Sequence, residues 1–148
     1  MPTNQLNLAA FLPYQLSIAS NAVSDRIARQ YQARFGLKIP EWRLMAVLGQ
    51  GVPQTQRDLV HATRMDKVTV SRASAALTER GLISRAASER DGRSHLLALT
   101  EAGQSLYAEI APVALDMEQR LLSCISADER RQLSDLLSRL REAADSSI

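Results

Sequence analysis

Cysteine is almost absent from this chain: 148 residues contain one, Cys124. A lone thiol closes no internal disulfide, and with only two histidines, His61 and His95, the ligands of a zinc cage are missing. Aromatic residues make up 4% of the chain and none lies between Trp42 and Tyr107, so the stacking platforms used by RNA and single-strand binders are lacking. No apolar run approaches the roughly 18–20 residues that cross a bilayer. Residues 1–20 hold no basic n-region and contain Pro13, so neither a membrane partner nor an export signal is expected, and a cytoplasmic location follows. There is no glycine-rich phosphate loop, HExxH, CxxC or Ser-His-Asp order, and neither histidine has motif neighbours. No enzyme, cofactor or metal is expected.

The residues present suffice for one globular domain: 45% are apolar and 23% charged. The formal net charge of +2 conceals a segregation. Residues 1–53 carry five basic and two acidic side chains, residues 54–100 eight and five, and residues 101–148 five and nine. A basic middle attracts a polyanion while an acidic remainder limits indiscriminate sticking, although ordinary solvated faces would produce the same totals. Sixteen arginines against two lysines suit bidentate contacts to phosphate or guanine, and a GC-rich genome would give the same bias.

Periodicity organises the chain. From Leu12 the apolar positions Leu16, Ala19, Val23, Ile27, Tyr31 and Phe35 recur at steps of three or four until Gly36, which predicts a long first helix with Pro13 near its start. Pro40 opens a second helix, Glu41–Leu48. Thr55 followed by Asp58 reads as a capping box for a short third helix carrying Leu59, Val60 and Ala62. After a brief turn, Asp66 caps a fourth helix that runs to Arg80 and is closed by Gly81. At 100° per residue Val70, Ala73 and Leu77 share one arc, while Lys67, Val68, Ser71, Arg72 and Ala75 share another with small, polar side chains. Asp91-Gly92, between segments 82–86 and 96–99, is a hairpin signal with Arg90 and Arg93 at its tip. Thr100 caps a long helix with Leu106, Ile110, Val113, Met117 and Leu121 in step and a bend expected at Pro112. Ser126 and Glu129 box the start of a last helix bearing Leu133, Leu136, Leu137 and Leu140. The fold class is mainly α: five or six helices and one hairpin.

Two short helices joined by a tight turn, then a basic hairpin, make a winged helix-turn-helix. The stretches "IPEWRLMAVL", "RDLVHATRMDKVTVSRASAALTERGLI" and "ERDGRSHLLALTEAG" resemble the MarR family of bacterial transcriptional regulators, in one register from about Leu12 to Leu140. The string of recognition helix, GLI, D-x-R and LT-x-x-G carries the likeness. It implies a winged-helix lobe over residues 36–100, a helical dimerisation region from residues 1–35 and 101–148, and a homodimer. The apolar stripes of the first and last two helices agree, and a plain intramolecular core would use them equally well.

The resemblance also implies site residues. Arg72 stands at the family's recognition-helix arginine and Ser71 at the hydroxyl position beside it, placing both against bases or phosphate. Lys67 suits a phosphate and Val68 a thymine methyl. Thr69 sits at the edge of the packed arc, where packing or capping is the competing use. Arg93 matches the wing arginine that enters a narrowed minor groove, beside Arg90, with Asp91 holding the wing arginines by ion pairing. Gly92 replaces the second arginine many members carry. Thr55 and Gln56 are placed to donate to phosphate. Double-stranded DNA is thus the expected partner of a repressor. Family members often bind anionic or phenolic effectors, for which Tyr14, Trp42, Arg43 and His61 are the candidates here, against Trp42 as core and Arg43 as a surface ion pair. Cys124, among Leu121, Leu122 and Ile125, reads as a buried inert thiol. The rival reading is a DNA-free helical adaptor on the same scaffold.

Overall fold

The structure, a computed structural model, describes residues 5–87 and 94–146. A 3-10 turn leads into α1 (Leu12–Phe35), followed by α2 (Ile39–Leu48), α3 (Gln56–Thr63), α4 (Lys67–Glu79), β1 (Ile83–Ala87), β2 (His95–Leu99), α5 (Glu101–Leu121) and α6 (Ala127–Asp145). The mainly α, winged-helix expectation is met, with six α-helices among the described residues. Two compact units are present, Met1–Ile110 and Ala111–Ile148, and α5 passes from one to the other as a single helix. The division falls just before Pro112.

Side-chain chemistry sets each boundary. Pro13 lies in the first turn of α1, where its missing N–H has no partner to lose, and Gly36, with φ at 63°, ends the helix. The α2 start is held by Glu41, whose Oε1 accepts from the Lys38 N–H at 3.0 Å. Thr55 and Asp58 exchange N–H donors at 3.0 Å each, completing the box expected for α3. Ser126 and Glu129 do the same for α6, at 2.9 and 3.1 Å.

The core of the first unit is gathered from α2, α3, α4 and β2. Leu44, Met45, Leu59, Val70, Leu77 and Leu97 are fully shielded, with Leu37 and Ile110 closing its edges. Each such leucine contributes about 1.5–3 kcal/mol by burial. The β1–β2 ladder is antiparallel and pairs Ile83 with Leu99, Arg85 with Leu97 and Ala87 with His95. Gln54 joins it through Leu97, donating at 3.0 Å and accepting at 2.7 Å, which ties the strand pair to the chain just before α3.

The GLI and LT-x-x-G strings meet in space. Gly81 adopts φ 72° and turns the chain from α4 toward β1, leaving two carbonyls facing the start of α5. The Thr100 hydroxyl donates to the Gly81 carbonyl at 2.6 Å, and the Thr100 N–H to the Leu82 carbonyl at 3.0 Å. The same hydroxyl accepts from the Gly103 N–H at 3.1 Å, capping α5. Gly103 is buried against this turn: a Cβ there would overlap the Leu82 carbonyl oxygen and sit 3.2 Å from Leu99 Cδ2.

In α1 burial increases along the helix. Leu12 is 69% exposed and Leu16 and Ile18 are open, whereas Val23 and Ile27 are half-covered and Tyr31 is buried. In the second unit Leu133, Leu136, Leu137 and Leu140 of α6 all stand exposed. Cys124 corrects the sequence expectation. It falls in a 3-10 turn, Leu122–Cys124, that carries its thiol outward, and it is exposed while Leu121, Leu122 and Ile125 are half-covered.

Candidate nucleic-acid interface

Helices α3 and α4 are separated by three residues, Arg64–Asp66. Arg64 takes φ 60° as it leaves α3, and Asp66 restarts the chain as a helix. The Asp66 carboxylate accepts from the Thr69 N–H at 2.7 Å and from the Thr69 hydroxyl at 3.0 Å. Thr69, half-buried, therefore spends its hydroxyl on the cap. These bonds hold the Asp66 carboxyl below the ordinary carboxylate range, the Thr69 N–H first and its hydroxyl second. A depressed folded-state pKa gives stability that is present above the ordinary value, about 3.9, and lost as the pH falls through the lower folded value. Between about pH 5 and pH 2 the thermal midpoint should fall, and Asp66→Asn, which keeps an oxygen for the N–H, should flatten part of that fall. An unchanged slope in circular-dichroism melts of the variant would remove Asp66 from the account.

Helix α4 is sided as its periodicity predicts. Val70, Ala73 and Leu77 are buried, and Ser74 joins them with its hydroxyl lacking a partner. Lys67, Val68, Ser71, Arg72 and Ala75 are exposed, Val68 at 57%. Four of these five, Lys67, Val68, Ser71 and Arg72, line an open cleft of about 1240 Å³ together with Gln56, Arg57, Asp58, Val60 and His61 of α3. That exceeds the roughly 300–1,000 Å³ of a drug-sized ligand site, and the shape is a trough between two helices. Its rim carries Arg57, Lys67 and Arg72 against one carboxylate, Asp58. Arg72 has no ion-pair partner among the described residues.

A second, smaller depression adjoins the first at the base of the strand pair. Thr55, Gln56 and Arg57 of the α3 start face Arg85, Ser94, His95 and Leu97. The ladder explains the grouping, because Arg85, Leu97, Ala87 and His95 occupy one face of the sheet by register. Arg57 borders both depressions. Arg57, Arg85 and His95 are not among the site residues expected from the sequence; the period-two spacing of Arg85 and Ala87 is the available signal, but the pairing with His95 needs the register.

The candidate effector residues are distributed differently. Trp42, half-buried on α2, stacks on Tyr107 of α5 at 6.0 Å between ring centroids and tilts against Tyr31 of α1 at 5.3 Å. Burial pushes the Tyr31 phenol pKa up, with a Trp42 hydrogen bond opposing it. Gly49 lies under the Tyr107 ring, where any Cβ would stand 2.6 Å from the ring edge. Arg43 is exposed beside Trp42, Tyr14 is exposed on α1, and His61 lies in the α3–α4 cleft. The wing-tip residues Arg90, Asp91 and Arg93 lie outside the described residues.

Two short helices in a helix-turn-helix, a cationic trough along the second, and an antiparallel strand pair behind them define a winged helix-turn-helix protein. Residues 35–94 match the model of the MarR family. An HTH-type transcriptional regulator of Bacillus subtilis, YdgJ, itself uncharacterised, is 28% identical over 86% of this chain and 76% of its own. A MarR/EmrR family regulator from Acinetobacter sp. ADP1 superposes with a TM-score of 0.86 at 28% identity, covering 95% of this chain and 99% of that one. The structure of MepR from S. aureus, solved with DNA, shares the fold at a TM-score of 0.78 and 24% identity, over 91% and 99% of the two chains. Over residues 35–94 the chain is thus similar to the MarR family, and its fold is that of solved MarR family transcriptional regulators.

Proposed function

We propose that the protein is a cytoplasmic repressor that binds a pseudo-palindromic DNA operator as a homodimer and is released by a small aromatic or anionic compound. The observation that carries the DNA-binding part is the outward face of α4. Lys67, Val68, Ser71 and Arg72 front an open trough whose rim is mainly cationic, on a helix of the length that enters a major groove. In this reading Arg72 and Val68 address bases and Ser71 a base or phosphate. Lys67, Thr55 and Gln56 hold phosphates, joined by Arg57, Arg85 and His95 at the base of the wing. Arg90 and Arg93 serve the adjacent minor groove with Asp91 orienting them, and Thr69 fixes the start of the helix.

Homodimerisation through residues 1–35 and 101–148, around a lobe of residues 36–100, is supported by the exposed Leu12 and Leu16 of α1 and, separately, by the exposed Leu133, Leu136, Leu137 and Leu140 of α6. Two copies related by a two-fold axis read half-sites about one helical turn, roughly 10 bp, apart. Release by an effector is supported by the half-buried Trp42–Tyr107 stack with Arg43 exposed beside it, a setting for a planar anion; Tyr14 and His61 complete that candidate set.

The test is selection of duplexes from a random-sequence library, followed by gel shifts across a salt series. Enrichment of an inverted repeat is expected, with affinity falling by a log–log slope of about −0.9 per phosphate neutralised. Failure to enrich any duplex at low salt would leave the helical adaptor as the function.

A further inference from the structure

We propose that Arg80 is a positioning residue that locks the recognition helix to α1 and thereby sets the operator spacing the homodimer accepts; this rests on the DNA-binding reading above. Arg80 terminates α4, and its guanidinium reaches back 44 and 45 residues to the end of α1. Nη1 donates to the Gly36 carbonyl and Nη2 to the Phe35 carbonyl, each at 3.2 Å. Phe35 is the last residue of α1 and Gly36 its left-handed cap, so both carbonyls lie at the helix C-terminus, where no further turn supplies N–H donors and the dipole leaves partial negative charge. A planar fork meeting two adjacent carbonyls fixes direction as well as distance, which a single-point donor does not.

The α1 end is itself anchored. Leu37, the residue after Gly36, is fully buried, and its N–H donates to the Tyr31 carbonyl at 3.3 Å. At its other end α1 carries the exposed Leu12 and Leu16 that the proposed dimer covers. One side chain thus connects the helix that joins the two copies to the helix that enters the groove. Core packing of α4 through Val70, Ala73 and Leu77 holds the body of the helix, and Arg80, the next step of the same i, i+3, i+7, i+10 series, extends that face past its end. The Arg80 fork restrains its C-terminal end.

Separation and mutual angle of the two recognition helices depend on that connection. Adding one base pair between half-sites rotates one of them by about 34° and moves it about 3.4 Å. A locked helix pays for this mismatch in affinity, while an unlocked one follows the DNA. The experiment compares the wild type, Arg80→Met and Arg80→Lys by gel shift on a duplex selected by the wild type, with zero, one or two base pairs inserted or removed at its centre. Methionine keeps the stem and removes both donors. The wild type should lose roughly tenfold or more in affinity at one base pair of error, the scale of a mismatched contact. Arg80→Met should lose about threefold or less, Arg80→Lys should fall between, and thermal midpoints should stay within about 2 °C because the site is exposed. Arg80→Met with the full wild-type discrimination overturns the proposal. So does an equal loss at every spacing, which would make Arg80 a plain phosphate contact. A wild type that selects no duplex sinks the DNA-binding reading first and this inference with it, an outcome distinct from a wild type that binds while its variant discriminates unchanged.

Discussion

Gly103→Ala is expected to destabilise the protein by about 2–3 kcal/mol, against the usual direction for this exchange in a helix. Alanine is the better helix former by about 1 kcal/mol, so the sign of the effect reports a steric contact rather than propensity. Gly103 lies in the first turn of α5, buried, with the Leu82 carbonyl where a Cβ would go. The obstacle is backbone, and it cannot rotate away. Either α5 lifts or the Gly81–Leu82 turn moves, and each motion stretches the Thr100 bonds to the Gly81 and Leu82 carbonyls. The thermal midpoint should drop by roughly 5–10 °C for a chain of this size. Ala102→Gly, one residue earlier and exposed, is the control and should cost no more than about 1 kcal/mol. Equal and small effects at the two positions in denaturant titrations would show that the close approach carries no energy. Because the Leu82 carbonyl also begins the turn into β1, Gly103→Ala should further weaken DNA binding through the wing.

What the sequence made visible and what it hid divide by distance along the chain. The caps at Thr55, Asp66 and Ser126 were legible because each is completed within three residues, and the two faces of α4 because a 100° step is a local rule. The glycine of LT-x-x-G was visible as a motif, but its cause was not, since Leu82 lies 21 residues earlier and meets it only once the strand pair has formed. Ser74 belongs to the buried arc by spacing, yet a polar residue there gives no sign that its hydroxyl will lack a partner. Arg57, Arg85 and His95 come together through a register that composition does not reveal. Reading Cys124 as buried assumed that α5 continued regularly, whereas the 3-10 turn at its end rotates the thiol outward. His61, a candidate effector residue with Tyr14, Trp42 and Arg43, also lines the α3–α4 trough, a placement that spacing along the chain does not reveal.

The largest effect on DNA affinity is expected from Arg72→Ala. Arg72 projects from the exposed arc of α4 into the trough, one turn after Val68 and beside Ser71, with no competing ion pair among the described residues. A guanidinium left free at the helix surface is available to two acceptors at once, and guanine O6 and N7 present two at matching separation. Losing such a pair costs about 1–3 kcal/mol, roughly 5- to 150-fold, at each half-site, so the two losses multiply in the dimer, and it abolishes preference at one base position of each half-site. Arg72→Lys should recover charge without recovering that preference, because a point donor cannot span both acceptors. Lys67→Ala supplies the contrast: its loss should be uniform across sequences and should reduce the salt slope by about one. The two behaviours are separable by measuring each variant on the selected duplex, on its single-base variants and over a salt series. If Arg72→Ala weakens all duplexes equally and changes the salt slope by about one, Arg72 grips phosphate and base readout falls to Val68 and Ser71. In that case Val68→Ala should lose part of the preference for thymine over the other bases, a preference that Arg72→Ala keeps, and should leave the salt slope unchanged because the apolar contact with a methyl group carries no charge.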